Sequence, residues 1–385
     1  IFFYNSTAKM CFLDYYRIHY SEALIEVKNK FEDLHGIYQS NYNNLNIKAF
    51  DWLKVLIENL NFIPYHQDLH ELKNAFKGKP AVVISAGPSL DKNIHELHKY
   101  RDKVIVFCVG TALKTVLKHG ITPDFVLFIE SFDNTHQIKD LDVSKLNLIL
   151  QTLACNSYYQ LNARKIYNYH VSTDRNNRYL ASKIDVPIME YRSMGTVSIT
   201  GVFSAKMLGC SPVILIGQDL AYTNNQCYSK DSVYSHFKID NEGKIILSDN
   251  IKTHQNENEL KSQIETLNKT IKVKGWNNEE VYTSTGYALF IKYFEQIAKE
   301  YPDFNLINCT EGGAYLKGLE HKTLSEVLNE YAAQSEDINV NSILDKYNLA
   351  KSKIESRKRI FKGEISALKA LYREINPQII SFNTI

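Results

Sequence analysis

Apolar positions fall into two textures along this chain. Up to about Phe76 they recur three and four residues apart, as in Trp52, Val55, Leu56 and Leu60, which predicts a helical lead-in. From Pro80 they bunch into short unbroken runs: Val82-Val83-Ile84, Val104–Phe107, Phe125–Ile129, Leu146–Leu150 and Val213–Ile216. Such runs predict strands buried on both faces, as in a parallel sheet covered by helices. Between them, Thr111–His119 and Ser198–Leu208 have helical spacing, start near Ser or Thr and stop at Gly120 or Gly209. The alternation is βαβα. An amphipathic helix at Gly286–Glu300 and a short strand at Asn305–Asn308 follow, so the α/β unit is expected to span 79–319, with helical flanks at 1–78 and 320–385.

Composition narrows the function classes. A chain of 385 residues with 44% hydrophobic content can bury one large core and a satellite. With 45 basic and 43 acidic side chains the net charge is only +2, so no general field favours nucleic acid or anionic lipid, and any anion site is local. The six cysteines stand singly without a CxxC pair, which predicts neither a zinc site nor a disulfide framework and fits a reducing cytoplasm. His254, His321 and the N-terminal histidines show no metal-ligand spacing. No apolar run reaches the roughly 20 residues of a membrane span, and no secretory signal pattern is present. The chain opens Ile1-Phe2-Phe3-Tyr4 without a Met, as expected of a piece of something longer.

Six stretches carry candidate chemistry. In Ser85-Ala86-Gly87-Pro88-Ser89-Leu90 the chain leaves a strand, turns on small residues and enters a helix expected over Asp91–Tyr100. Free N–H groups there would favour a phosphate; the alternative is a plain turn with Ser89 as helix cap. Val109-Gly110-Thr111-Ala112 repeats the arrangement after the next strand, and a third strand ends in Glu130-Ser131. Ligands of doubly wound sheets sit outside the carboxyl ends of the strands, so Ser85, Gly87, Thr111 and Glu130 are expected to converge on one crevice. Glu130 would bind a ribose hydroxyl or cap a helix.

Ser193 and Thr196, in Ser193–Gly201, place hydroxyls at another helix entry. The strand Val213–Ile216 ends in Gly217-Gln218-Asp219-Leu220-Ala221-Tyr222, where an acid, an amide and a phenol crowd a strand terminus. Asp219 is either a functional carboxylate or the acceptor in a self-satisfied turn. Thr310-Glu311-Gly312-Gly313 sets another acid before a glycine pair, again as a ligand contact or a capping turn.

In this order and at these separations, AGPSL, VGTALKTVLKHGITPDFV, GCSPVILIGQDLAYT and INCTEGGAYLKG resemble the motility accessory factor (Maf) flagellin glycosyltransferases over about Lys79–Gly318. The resemblance implies a Rossmann-like catalytic domain similar to that of bacterial sialyltransferases. It would transfer a pseudaminic- or legionaminic-type nonulosonic acid from CMP to Ser or Thr of flagellin, with no cofactor, membrane insertion or nucleic acid required. Ser85, Gly87, Pro88 and Ser89 match the family's first nucleotide loop, and Thr111 and Ala112 its second. Gly217, Gln218, Asp219 and Tyr222 match the central motif; Thr310, Glu311, Gly312 and Gly313 match the last. Two departures stand out: Glu130 replaces a frequent Asp, and the His often found beyond the central Tyr is absent, the nearest being His236.

Transfer from CMP needs stabilisation of a departing phosphate and removal of a proton from the acceptor hydroxyl. Helix N–H groups and the Tyr222 phenol suit the first task; His236, Asp219 and Glu311 are the candidate bases. The same domain also resembles archaeal pterin diphosphokinases, which would require ATP and Mg²⁺ held by carboxylates such as Asp219 and Glu130. A third reading is a flagellin-binding protein without catalysis.

Overall fold

A computed structural model describes residues 11–172, 174–188, 196–248, 264, 270–333 and 335–382. Ser193 and His254 lie outside the described residues. The chain divides into two compact units, Ile1–Lys54 and Val55–Ile385. In the first, the helix Asp14–His19 carries exposed Tyr15 and Tyr16, whose ring centroids lie 5.7 Å apart.

In chain order the strands are β1 (Gln67–Asp68), β2 (Ala81–Ile84), β3 (Ile105–Val109), β4 (Phe125–Phe128), β5 (Asn147–Gln151), β6 (Lys165–Tyr169), β7 (Val213–Ile216), β8 (Phe237–Ile239), β9 (Ile245–Leu247), β10 (Thr270–Lys274), β11 (Glu280–Ser284), β12 (Leu306–Asn308) and β13 (Glu320–His321). Nine of them form one sheet in the order β1-β6-β5-β4-β3-β2-β7-β12-β13. Every pairing in it is parallel. Two antiparallel pairs, β8 with β9 and β10 with β11, stand apart from it. The fold is therefore Rossmann-like α/β. All residues of β2, β3, β4 and β7 are buried, because helices such as Gly110–Lys118 and Val197–Met207 remove both faces from water.

From β2 the chain builds outward to β6 on one side, then crosses to lay β7 against the other side of β2. The order of the sheet reverses between β2 and β7. At such a point the connections leave in opposite directions and a crevice opens beyond the carboxyl ends of the strands.

The structure departs from the sequence reading in three places. The helix expected over Asp91–Tyr100 is one α-turn, Leu90–Asn93, continued by 3₁₀ turns over Ile94–Lys103. Strands β1, β6 and β8 to β11 are additions; in β6 the buried Asn168 breaks the apolar run, and its amide donates to the carbonyls of Ile63 and His66, each at 3.0 Å. Both flanks also contribute to the second unit. Leu56, Leu60, Ile63, Leu72 and Phe76 are core residues, and β13 extends the sheet. From the C-terminal helix Lys351–Phe382 the fully buried Arg357 pairs with Asp68, whose other oxygen lies 2.8 Å from His170 Nε2. Among the described residues no helix is long and apolar enough to cross a membrane.

Candidate functional site

The loops after β2, β7 and β12 interlock at the switch point. Ser85 N–H donates to the Ile216 carbonyl at 3.0 Å, and Gly87 N–H to the Gly217 carbonyl at 2.8 Å. Gly217, at φ 62°, passes so close to Ser85 that a Cβ would overlap the Ser85 carbonyl. A Cβ on Gly87 would overlap the Asp219 carboxylate, and one on Gly313 the Asp219 backbone. These three glycines are required by backbone approach. Ser85 Oγ donates to Gln218 Oε1 at 2.7 Å, and Gln218 N–H to Thr310 Oγ1 at 3.3 Å. The first, central and last motifs thus meet.

Asp219 is the hub. Only 1% exposed, it accepts from Ser89 N–H at 3.0 Å and from Ser89 Oγ at 2.6 Å. Burial pushes its carboxyl up to about 6, against the pull of the two Ser89 bonds and the Lys92 ammonium. This corrects the expected phosphate loop. The N–H groups of Gly87, Ser89, Leu90 and Lys92 go to Gly217, Asp219, Gly87 and Ser89 respectively, leaving none of these four for a ligand. Ser89 is itself helical, at φ −64° and ψ −22°, and does not cap the turn that follows.

The anion-binding potential lies next door. A cavity of about 130 Å³ is floored by Ser85, Gly87, Gln218 and Asp219. On one side it is lined by the first turns of the helices Gly110–Lys118 and Val197–Met207, through Thr111, Thr196, Val197 and Ser198. Neither helix has a side-chain cap, so both present first-turn N–H groups and the positive end of a dipole. Gln218 adds an NH₂ that has no partner among the described residues. The lining also includes Tyr228, Tyr287 and Phe290, with the Tyr287 hydroxyl 3.4 Å from that of Tyr228. Among the described residues lining the cavity there is no Lys, Arg or His, and Asp219 is the one carboxylate. The arrangement suits a ligand with an aromatic ring at one end and an anion at the other.

The remaining predicted residues lie around this cavity. Pro88 and Ala112 are buried beside it, and Thr310 is fully buried beneath Gln218. Gly312 packs against Ser89 and Lys92. Glu311, at φ 56°, turns away: its carboxylate accepts from Asn93 Nδ2 at 3.0 Å and from Leu324 N–H at 2.8 Å. Tyr222 is buried in an aromatic cluster with Phe237 and Tyr287, and does not line the cavity. His236 packs on Phe237 at 4.4 Å, outside the lining, and burial pulls its imidazole below the usual value. Glu130 and Ser131 follow β4, also outside the lining; burial raises the Glu130 carboxyl, which accepts from Ile129 N–H at 3.2 Å. Among the described residues no group of three or more His, Cys, Asp and Glu is placed to hold a metal ion. Sequence reasoning missed Tyr228, Tyr287 and Phe290, the last two because they lie on the amphipathic helix Thr285–Glu300 and read as packing positions.

Comparison with known proteins adds three likenesses. A family model described as "6-hydroxymethylpterin diphosphokinase MptE-like" matches residues 54–225. An uncharacterized protein of Treponema pallidum (strain Nichols) is 29% identical over 79 residues, covering 20% of this chain and 37% of that protein. The solved Maf glycosyltransferase of Magnetospirillum magneticum AMB-1 superposes on 81% of this chain with a TM-score of 0.50 and 15% identity. That likeness is one of fold. The chain spans 44% of that structure's length.

Proposed function

We propose that this chain is a cytoplasmic glycosyltransferase that moves a nonulosonic acid of the pseudaminic or legionaminic type from CMP to Ser or Thr of flagellin, in support of flagellar assembly and motility. The observation that carries the reading is the cavity between two uncapped helix N-termini and an aromatic wall. A nucleoside monophosphate matches it: the base stacks on Tyr287 and Phe290, and the phosphate meets the first turns at Thr111 and Ser198. The fold shared with a Maf glycosyltransferase supports the same reading.

In the reaction the bond from the anomeric carbon to the phosphate oxygen breaks, and CMP leaves with the electron pair. Helix N–H groups fixed before the reaction stabilise that developing charge without reorganisation. No cofactor is required for this step. Titration of the purified chain with CMP, and with ATP plus Mg²⁺, tests the assignment. Preferential CMP binding and CMP release from a CMP-nonulosonate donor in the presence of flagellin are expected; preference for ATP with Mg²⁺ contradicts it.

The second reading, a pterin diphosphokinase, is favoured by the MptE-like match over residues 54–225 and by the aromatic wall, which would stack a pterin equally well. It needs carboxylates facing the bound triphosphate. Asp219 is bonded to Ser89, and Glu130 is outside the lining, which favours the transferase.

A further inference from the structure

The second unit has another cavity, of about 300 Å³ against about 130 Å³ at the switch point. Its volume meets the lower end of the roughly 300–1,000 Å³ of small-ligand sites. It lies among the turn that enters β1, the residues that enter β6 and the loop before the C-terminal helix, and shares no lining residue with the first cavity. Because β1 and β6 run parallel to the rest of the sheet, it sits at their amino ends, away from the carboxyl-end crevice.

Among the described residues its lining holds two cations, Arg164 and Lys165, and no carboxylate. Their side chains are 22% and 23% exposed, and both reach a single acid outside the lining, the exposed Asp345. Arg164 Nη2 donates to its two oxygens at 2.7 and 2.8 Å, and Lys165 Nζ lies 3.0 Å from one of them. One carboxylate against two cations leaves one positive charge over. Arg164 Nε–H, moreover, has no partner among the described residues. His66, also in the lining, adds no charge at neutral pH, because burial pulls its imidazole down to about 4.

The rest of the wall is aromatic and hydrogen-bonding. Tyr65, Tyr159 and Tyr347 contribute rings, and Gln67 and Asn348 contribute amides. Tyr167, fully buried in the same wall, carries a hydroxyl with no hydrogen-bond partner among the described residues. Arg164 and Asp345 both act electrostatically on this phenol, which sets it near the ion pair. An unpaired buried hydroxyl costs stability, and a ligand that bonds it recovers that cost. Aromatic rings pack on the C–H faces of a sugar, amides and hydroxyls bond its hydroxyl groups, and one carboxylate matches the surplus charge. A phosphate ester would bring a second negative charge that the site does not balance.

We propose that this cavity is a second binding site, for a sugar acid: a hydroxyl-bearing ring with one carboxylate, which takes the open N–H groups of Arg164 and Lys165 and bonds the Tyr167 hydroxyl. The inference goes beyond the transferase reading and stands without it.

The test is calorimetric titration of the full chain, in excess CMP, with N-acetylneuraminic acid and separately with its methyl ester, which keeps the ring and loses the charge. Saturable binding of the acid is expected, about tenfold or more tighter than that of the ester. Lys165→Gln is expected to weaken the acid about tenfold and to bring acid and ester together. Tyr167→Phe is expected to weaken both about fivefold with Tm unchanged or raised, since it deletes an unpaired group. Unchanged affinity in either variant, equal affinity of acid and ester for the wild type, or no binding of the acid overturns the site. Displacement of the acid by CMP would put it in the switch-point crevice and overturns the site as well. Acid binding without any CMP binding supports this site and counts against the transferase reading alone.

Discussion

Asp219 and Ser89, 130 residues apart in the chain, are joined through one buried carboxylate that takes both the N–H and the hydroxyl of the serine. The pair locks the end of β2 to the end of β7 and takes up the Ser89 N–H. It also puts an acid under the cavity whose ionisation is costly.

That cost makes stability depend on pH. The Asp219 carboxyl is raised in the folded protein from the ordinary 3.8 to about 6. Its contribution to stability is full below pH 4 and is lost as pH rises through 6. Relative to Asp219→Asn, the wild-type protein is expected to lose roughly 3 kcal/mol between pH 4 and 7. Urea unfolding of both proteins across that range checks this; a constant difference contradicts it. Ser89→Ala, which removes the 2.6 Å bond, is expected to cost roughly 1.5–3 kcal/mol at pH 7.

Two glycines at positive φ separate backbone strain from collision. A Cβ on Gly78, at φ 73°, meets nothing within 4 Å, whereas one on Gly313, at φ 72°, overlaps the Asp219 backbone. Gly78→Ala is expected to cost roughly 1–2 kcal/mol from strain alone. Gly313→Ala is expected to lower Tm well beyond that and to abolish CMP binding. Equal Tm losses in the two variants would show that the approach at Gly313 is slack.

Thr111 occupies the first turn of an uncapped helix facing the cavity. An acid there complements the dipole, so Thr111→Asp is expected to leave folding stability unchanged or raised by roughly 0.3–1 kcal/mol. That carboxylate would take the place proposed for the phosphate, so CMP affinity is expected to fall at least tenfold. Calorimetric titration and thermal unfolding on one sample compare the two effects. Undiminished CMP affinity places the phosphate elsewhere.

Arg357 ties the C-terminal helix to the end of β1 through Asp68, Glu71 and the His66 carbonyl. Arg357→Ala leaves the buried Asp68 carboxylate without its cation and is expected to destabilise the second unit by roughly 3–5 kcal/mol. Denaturant unfolding measures it; a loss under 1 kcal/mol means the helix is held by packing at Phe361 instead.

The sequence made the central strands legible because Val82–Ile84 and Val213–Ile216 are apolar at every position, a pattern forced by burial on both faces. It concealed β6, where the Asn168 backbone joins the ladder while its buried side chain serves the 3₁₀ turn at Ile63–Tyr65 and the His66 carbonyl. Strand polarity predicts that Ser85, Gly87, Thr111 and Glu130 share one crevice; the first three line the cavity with Gln218 and Asp219, while Glu130 lies outside it. It does not predict what each residue does there. Whether Ser89 N–H is free depends on Asp219, and whether Glu311 faces a ligand depends on a backbone turn at φ 56° that sends it to Asn93 and Leu324. Tyr287 and Phe290 lie on an amphipathic helix, where aromatic residues read as core packing.

The most direct test of this account is the position of the phosphorus atom in a crystal structure of the chain with CMP bound. The account predicts it between the first turns at Thr111 and Ser198, within hydrogen-bond reach of their backbone N–H groups, with the cytosine against Tyr287 and Phe290. A phosphate resting instead on the loop from Gly87 to Ser89, with the Asp219 bonds broken, would contradict it.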